Sequence, residues 1–117
     1  MSDVSLTAAE RAYLEGRRLA RFATAAADGR VDVAPVGLHL DGDEFVVVGS
    51  DIRHTYKYNF VRANPHAALV VDDLASTDPW RPRGVKVHGR ATIEERDGRE
   101  AIRLVPERKW SWGLEPE

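Results

Sequence analysis

The chain has 117 residues, 43% apolar and 31% charged, which describes one globular domain spanning 1–117 with room for a single core. A formal net charge of −2 argues against general nucleic-acid or membrane-surface binding, and the lack of cysteine removes disulfides, zinc-thiolate sites and thiol nucleophiles. No stretch approaches the roughly 18 apolar residues of a membrane span, and the opening Met1-Ser2-Asp3-Val4-Ser5 lacks a secretory signal's basic flank and apolar run, so the cytoplasm is the expected compartment.

Thr7-Ala8-Ala9-Glu10 reads as a capping box, opening a helix that carries Ala8, Ala12 and Leu14 and ends near Gly16. A strand is expected over 19–25, and Asp28-Gly29 is a strong hairpin signal. The run 31–40 alternates in part, and Pro35 interrupts it, which indicates an edge or a bulge. Asp41-Gly42-Asp43 turns the chain into a third strand over 44–49. A helix is expected over 53–63, with Tyr56, Phe60 and Ala63 facing inward and Asn64-Pro65 as its stop. A buried strand over 66–72 then leads into a polar loop over 73–83, stiffened by Pro79 and Pro82. A long alternating strand covers 84–96, Asp97-Gly98 turns it, and a further pair, 102–105 and 109–112, follows on either side of Pro106. The sum is a mainly β (α+β) domain: a small antiparallel barrel of six or seven strands with two short helices.

Ile52 to Val71 holds no Asp or Glu over twenty positions, in a chain that is acidic overall. Within it Arg53 and Lys57 are four apart, so on a helix they project from one face. With Ser50, Thr55 and the free amides of a helix start they offer a cradle to a phosphate or carboxylate. The competing reading is a solvated basic face with Tyr56 and Phe60 as core. Trp80 and Arg81, between two prolines, suit either stacking on a planar ring or anchoring a dimer interface. Val33-Ala34-Pro35-Val36-Gly37 either lets a flat ligand approach the main chain or simply forms a β-bulge. His39, His54, His66 and His88 are scattered without ligand-like spacing, which points away from a metal. No nucleophile elbow, phosphate-binding loop or dinucleotide fingerprint occurs, so redox or transfer chemistry here has to come from a cofactor.

The order of segments carries a resemblance. Leu19-Ala20-Arg21-Phe22-Ala23-Thr24, then Asp28-Gly29-Arg30 and Val33-Ala34-Pro35-Val36, resembles the opening of the pyridoxamine-phosphate-oxidase-like split β-barrel superfamily, the FMN-binding split barrel. Thr55, Lys57 and Asn59 leading into Arg62-Ala63-Asn64-Pro65-His66 resemble its second hallmark. Residues 73–84 with the closing Ser111-Trp112-Gly113 are similar to the actinobacterial branch of F420-dependent enzymes.

The resemblance implies a split-barrel homodimer with two cofactor sites between subunits, and coenzyme F420, a deazaflavin with a phosphate and an acidic tail, as cofactor. FMN is the alternative. It further implies that Lys57 binds the phosphate, supported by Arg53, Ser50 and Thr55, with Tyr56 also a cofactor-binding residue. Ala34, Pro35 and Val36 would present main chain to the ring, while Trp80 and Arg81 approach from the facing subunit and Arg30 meets the acidic tail. The implied activity is hydride transfer between F420 and a small organic substrate, with no catalytic side chain and no metal. The arginine pattern that reads pyridoxal phosphate in the true oxidases has no counterpart here, which points away from vitamin B6 oxidation. A non-catalytic carrier of F420, a flavin or a tetrapyrrole, and an inert dimerisation module, are the readings of a different class.

Overall fold

A computed structural model describes residues 4–49 and 51–114. Helix α1 (Ala8–Leu14) is followed by strands β1 (Leu19–Ala25), β2 (Val31–Asp41) and β3 (Glu44–Val48). A 3-10 turn (Ile52–His54) and helix α2 (Tyr56–Ala63) come next, then β4 (His66–Thr77), β5 (Trp80–Arg96) and β6 (Arg99–Trp112). The six strands close into a barrel in the order β1-β2-β3-β6-β5-β4, and every neighbouring pair is antiparallel.

Alternation along the strands builds the core. Phe22 on β1, Phe45 and Val47 on β3, Val85 and Val87 on β5 and Ile102 and Leu104 on β6 are fully buried inside the barrel. Helix α1 begins with the expected capping box: the Glu10 amide donates to Thr7 Oγ1 at 3.1 Å and the Thr7 amide to Glu10 Oε1 at 2.9 Å. Glu10 is itself buried and also accepts from Lys109 Nζ at 2.6 Å, which ties α1 to β6. Burial pushes its carboxyl up, but the bonds from Lys109 and the Thr7 amide outweigh that and leave it below the ordinary range.

Pro35 lies on an edge. The β1–β2 register runs without a break from Leu19↔Gly37 to Ala25↔Val31, while β3 meets β2 only from Gly37 onward. The first half of β2 therefore has one neighbour, and the missing amide of Pro35 costs no ladder bond on its open side.

Three expectations are corrected. The helix expected over 53–63 is split at Thr55, which caps α2, and its inward residues are Tyr58 and Val61; Tyr56 is 71% exposed and Ala63 faces solvent. The loop expected over 73–83 is a ribbon: β4 and β5 stay paired past the barrel out to Thr77↔Trp80, leaving Asp78 and Pro79 as the turn. The pair expected on either side of Pro106 is one strand, because β6 absorbs Glu107 as an extra residue opposite His88 and Gly89. Gly89 permits that bulge, since a Cβ there would collide with the Val105 carbonyl oxygen.

Candidate functional site

A cleft of about 320 Å³ opens where β2, the end of β3 and the start of α2 meet. Pro35, Val36 and Gly37 form one wall and Val48 and Gly49 the other, with Thr55 and Lys57 at the head. The strands come this close because position 37 has no side chain: a Cβ there would sit 3.0 Å from Val48 Cγ2 and 3.2 Å from the Val48 carbonyl oxygen.

Thr55 shapes the head of the cleft through its hydroxyl. It donates to the Ile52 carbonyl at 2.5 Å and accepts from the Tyr58 amide at 3.3 Å, so it closes the 3-10 turn and caps α2 together. Lys57 is half-buried, lines the cleft, and has no carboxylate partner among the described residues. Asp51 also lines the cleft, and its carboxylate is bonded to His54 Nδ1 at 2.8 Å. An ammonium group held beside a strand edge and a helix start can bind an anionic oxygen cluster.

The split at Thr55 separates the two cations that spacing alone places on one face. Lys57 turns into the cleft, whereas Arg53 reaches across to β6 and pairs with Glu100 at 2.9 Å. Of the other expected site residues, Pro35, Val36 and Thr55 join Lys57 in the cleft. Ala34 pairs with Phe22 and does not line the cleft; Tyr56 lies outside it, with its ring 5.8 Å from that of Phe60. Ser50 lies outside the described residues. Arg30 pairs with Asp28 at 3.0 Å, and its guanidinium lies 5.9 Å from the centre of the Phe60 ring. Gly37 belongs to the 33–37 stretch read as open to a flat ligand, and it lines the cleft; sequence spacing missed Val48, Gly49 and Glu100. Val48 and Gly49 come from the end of β3, whose approach only the barrel dictates, and Glu100 pairs with a residue far away in the chain.

Trp80 and Arg81 sit at the end of the β4–β5 ribbon, both exposed, and do not line the cleft of their own chain. The base of that ribbon is locked to α1. Asp73 accepts from Arg83 Nε at 2.7 Å and Nη2 at 3.0 Å and from the Tyr13 hydroxyl at 2.9 Å, and Arg17 stacks 4.0 Å from the centre of the Tyr13 ring.

The outer face of β1, β2 and β4 carries an apolar patch. Val31 is 80% and Val33 65% exposed, beside a shallow hollow of about 340 Å³ whose lining includes Ala23, Ala25 and Ala68, with His66 and His88 at its side. Among the described residues no cluster of His, Asp or Glu could hold a metal, and no helix is long and apolar enough to cross a membrane.

A closed six-stranded antiparallel barrel, with a cleft lined by Lys57 and Asp51 beside a half-free strand, defines a small split barrel. Residues 6–112 match the family model described as pyridoxamine 5'-phosphate oxidase. Over 119 aligned residues the chain is 33% identical to the 5a,11a-dehydrotetracycline/5a,11a-dehydrooxytetracycline reductase of Streptomyces rimosus, covering 93% of this chain and 84% of that protein. The fold matches a conserved hypothetical protein of Mycobacterium tuberculosis with a TM-score of 0.76 at 19% identity, covering 97% of this chain and 88% of that one. It also matches an FAD-binding protein of Mesorhizobium loti with a TM-score of 0.71 at 20% identity, covering 92% and 94%. The chain belongs to the pyridoxamine 5'-phosphate oxidase-like family of split barrels.

Proposed function

We propose that this protein is an F420-dependent oxidoreductase that works as a homodimer, reducing or oxidising a small organic substrate by hydride transfer. The observation that carries the reading is Lys57, half-buried at the head of the cleft with no carboxylate partner among the described residues. The family and the reductase relative support a flavin-type redox cofactor. The likeness of residues 73–84 and 111–113 to the F420-dependent branch favours the deazaflavin over FMN.

The residues present fit such a group. Lys57 and the main chain at the start of α2 would hold its phosphate, and Pro35 and Val36 would lie along the ring. When bound in its reduced state, the deazaflavin supplies two electrons and a proton as hydride. The chain's own part is to bind the anionic end, orient the ring against the half-free edge of β2 and exclude water.

A volume of about 320 Å³ is at the small end of the roughly 300–1,000 Å³ that ligand sites occupy. A second copy seated on the apolar face of Val31, Val33, Ala23 and Ala68 would enlarge the cleft and bring Trp80 and Arg81 of its ribbon toward it. Titration of purified protein with F420 and with FMN, followed by absorbance, tests the cofactor. Micromolar FMN binding with no F420 binding overturns the deazaflavin. Light scattering that shows only monomer overturns the dimer.

A further inference from the structure

We propose that Glu100 is a positioning residue for the anion-binding turn, acting through Arg53 and touching neither cofactor nor substrate; this rests on the reading of the Lys57 cleft given above.

The 3-10 turn of Ile52–His54 carries the chain from β3 to Lys57, and it has few ties to the barrel. Asp51, which precedes it, makes no side-chain cap bond to its backbone; its carboxylate meets the ring of His54 within the turn and not the barrel. The turn is fixed by the buried side chain of Ile52 on one side and by the Arg53–Glu100 pair on the other. Glu100 is well placed to act as a fixed post. It lies on β6 just past the tight turn of Asp97 and Gly98, opposite Glu95 of β5, and only a quarter of its side chain is exposed.

One detail singles Glu100 out from a surface partner. Its Oε1 is 2.9 Å from Arg53 Nη2, while its Oε2 is buried without a hydrogen-bond partner among the described residues. Arg53 is the one cation paired with this carboxylate among the described residues, and removing it leaves a partly desolvated anion without that partner. An incoming phosphate that drew Arg53 away would impose that cost. Arg53 therefore stays on Glu100 when the cleft fills, and Lys57, set by the same turn, meets the anion. The pair's work is to hold the turn at the height where Lys57 enters the cleft.

The test is a double-mutant cycle of Glu100→Gln, Arg53→Gln and both together. Affinity is read for FMN and for riboflavin, which share a ring and differ in the phosphate, or, where the wild type binds F420 and not FMN, for F420 and its phosphate-free deazaflavin chromophore in their place. If the inference holds, each single variant weakens FMN by roughly tenfold, the scale of one charge-assisted hydrogen bond, and leaves riboflavin unchanged. The double variant is then no worse than either single one, because both changes break one pair. A larger loss for Arg53→Gln than for Glu100→Gln, or additive losses, would mean that Arg53 meets the phosphate itself and overturns the inference. So would unchanged FMN affinity in Glu100→Gln. Wild-type protein that prefers neither FMN to riboflavin nor F420 to its phosphate-free chromophore removes the anion site and this inference with it, whereas a wild-type preference that survives undiminished in Glu100→Gln removes the inference alone.

Discussion

The Tyr13 hydroxyl donates to Asp73 across 2.9 Å, joining helix α1 to the base of the β4–β5 ribbon. Arg83 hydrogen bonds hold the Asp73 carboxyl down at about 2, helped by Tyr13 and the charge of Arg17. Burial, then the bond to Asp73, pushes the Tyr13 hydroxyl up to about 12. The signs follow from linkage. The depressed carboxyl contributes stability that is complete above the ordinary aspartate range and is lost as pH falls toward 2. The raised phenol contributes stability that is complete below the ordinary tyrosine range and is lost as pH rises from there to 12. Tyr13→Phe should cost about 1 kcal/mol at neutral pH and remove the tyrosine share of the alkaline decline. Urea unfolding at a series of pH values measures both, and an alkaline limb identical to wild type would refute the assignment.

Lys57→Ala should weaken a phosphate-bearing cofactor by about 1–3 kcal/mol, the scale of a charge-assisted bond whose partner is lost. Thermal stability should hardly change, because Lys57 has no carboxylate partner among the described residues. Isothermal titration beside a melting curve separates the two effects. An unchanged dissociation constant would put the phosphate elsewhere.

Gly89→Ala should destabilise the fold by about 1–3 kcal/mol, because the added methyl collides with the Val105 carbonyl oxygen, a main-chain atom that cannot swing aside. Exposed Gly29 provides the contrast, since nothing lies within 4 Å of a Cβ there; its φ of +92° makes strain alone the cost. A loss at position 89 no greater than at 29 would contradict the packing account.

Arg103 on β6 gathers three carboxylates, with Nε 2.6 Å from Glu94, Nη1 2.9 Å from Glu44 and Nη2 2.9 Å from Asp41. Its bond holds the Glu94 carboxyl below the ordinary range. Arg103→Met should therefore destabilise the protein by about 1–2 kcal/mol at neutral pH, and by less in acid, where the carboxylates lose their charge. Unfolding of the variant at pH 7 and pH 4 tests the sign; an equal loss at both would mean that the aliphatic stem, and not the charge, matters.

Local signals made most of the barrel legible. Asp28-Gly29 and Asp97-Gly98 sit at the turns they announce, and the capping box at Thr7 opens α1 as read. The ribbon was not legible, because Pro82 argues for a loop. It is tolerated there since β5 has only β4 beside it until β6 joins at Gly84↔Trp112. Pro106 misled in the same way, at a point of β6 beyond its pairing with β3. In the candidate cleft, charge and a place after a strand singled out Lys57, and it lines the cleft. The separation of Arg53 from it was not legible, because Thr55 reads equally well inside a helix or as its cap, and Glu100 bears no local relation to Arg53.

The barrel is sewn unevenly. β3 and β6 share only three residue pairs, from Phe45↔Leu104 to Val47↔Ile102, whereas β5 and β6 run alongside each other from Gly84↔Trp112 to Arg96↔Arg99. The sheet thus has a short closing stitch between strands distant in sequence, and it lies directly before Val48 and Gly49. Thermal fluctuations that part this stitch loosen one lip of the cleft first and leave the β4–β5–β6 meander intact, so amide protons of β3 should exchange ahead of those in β5.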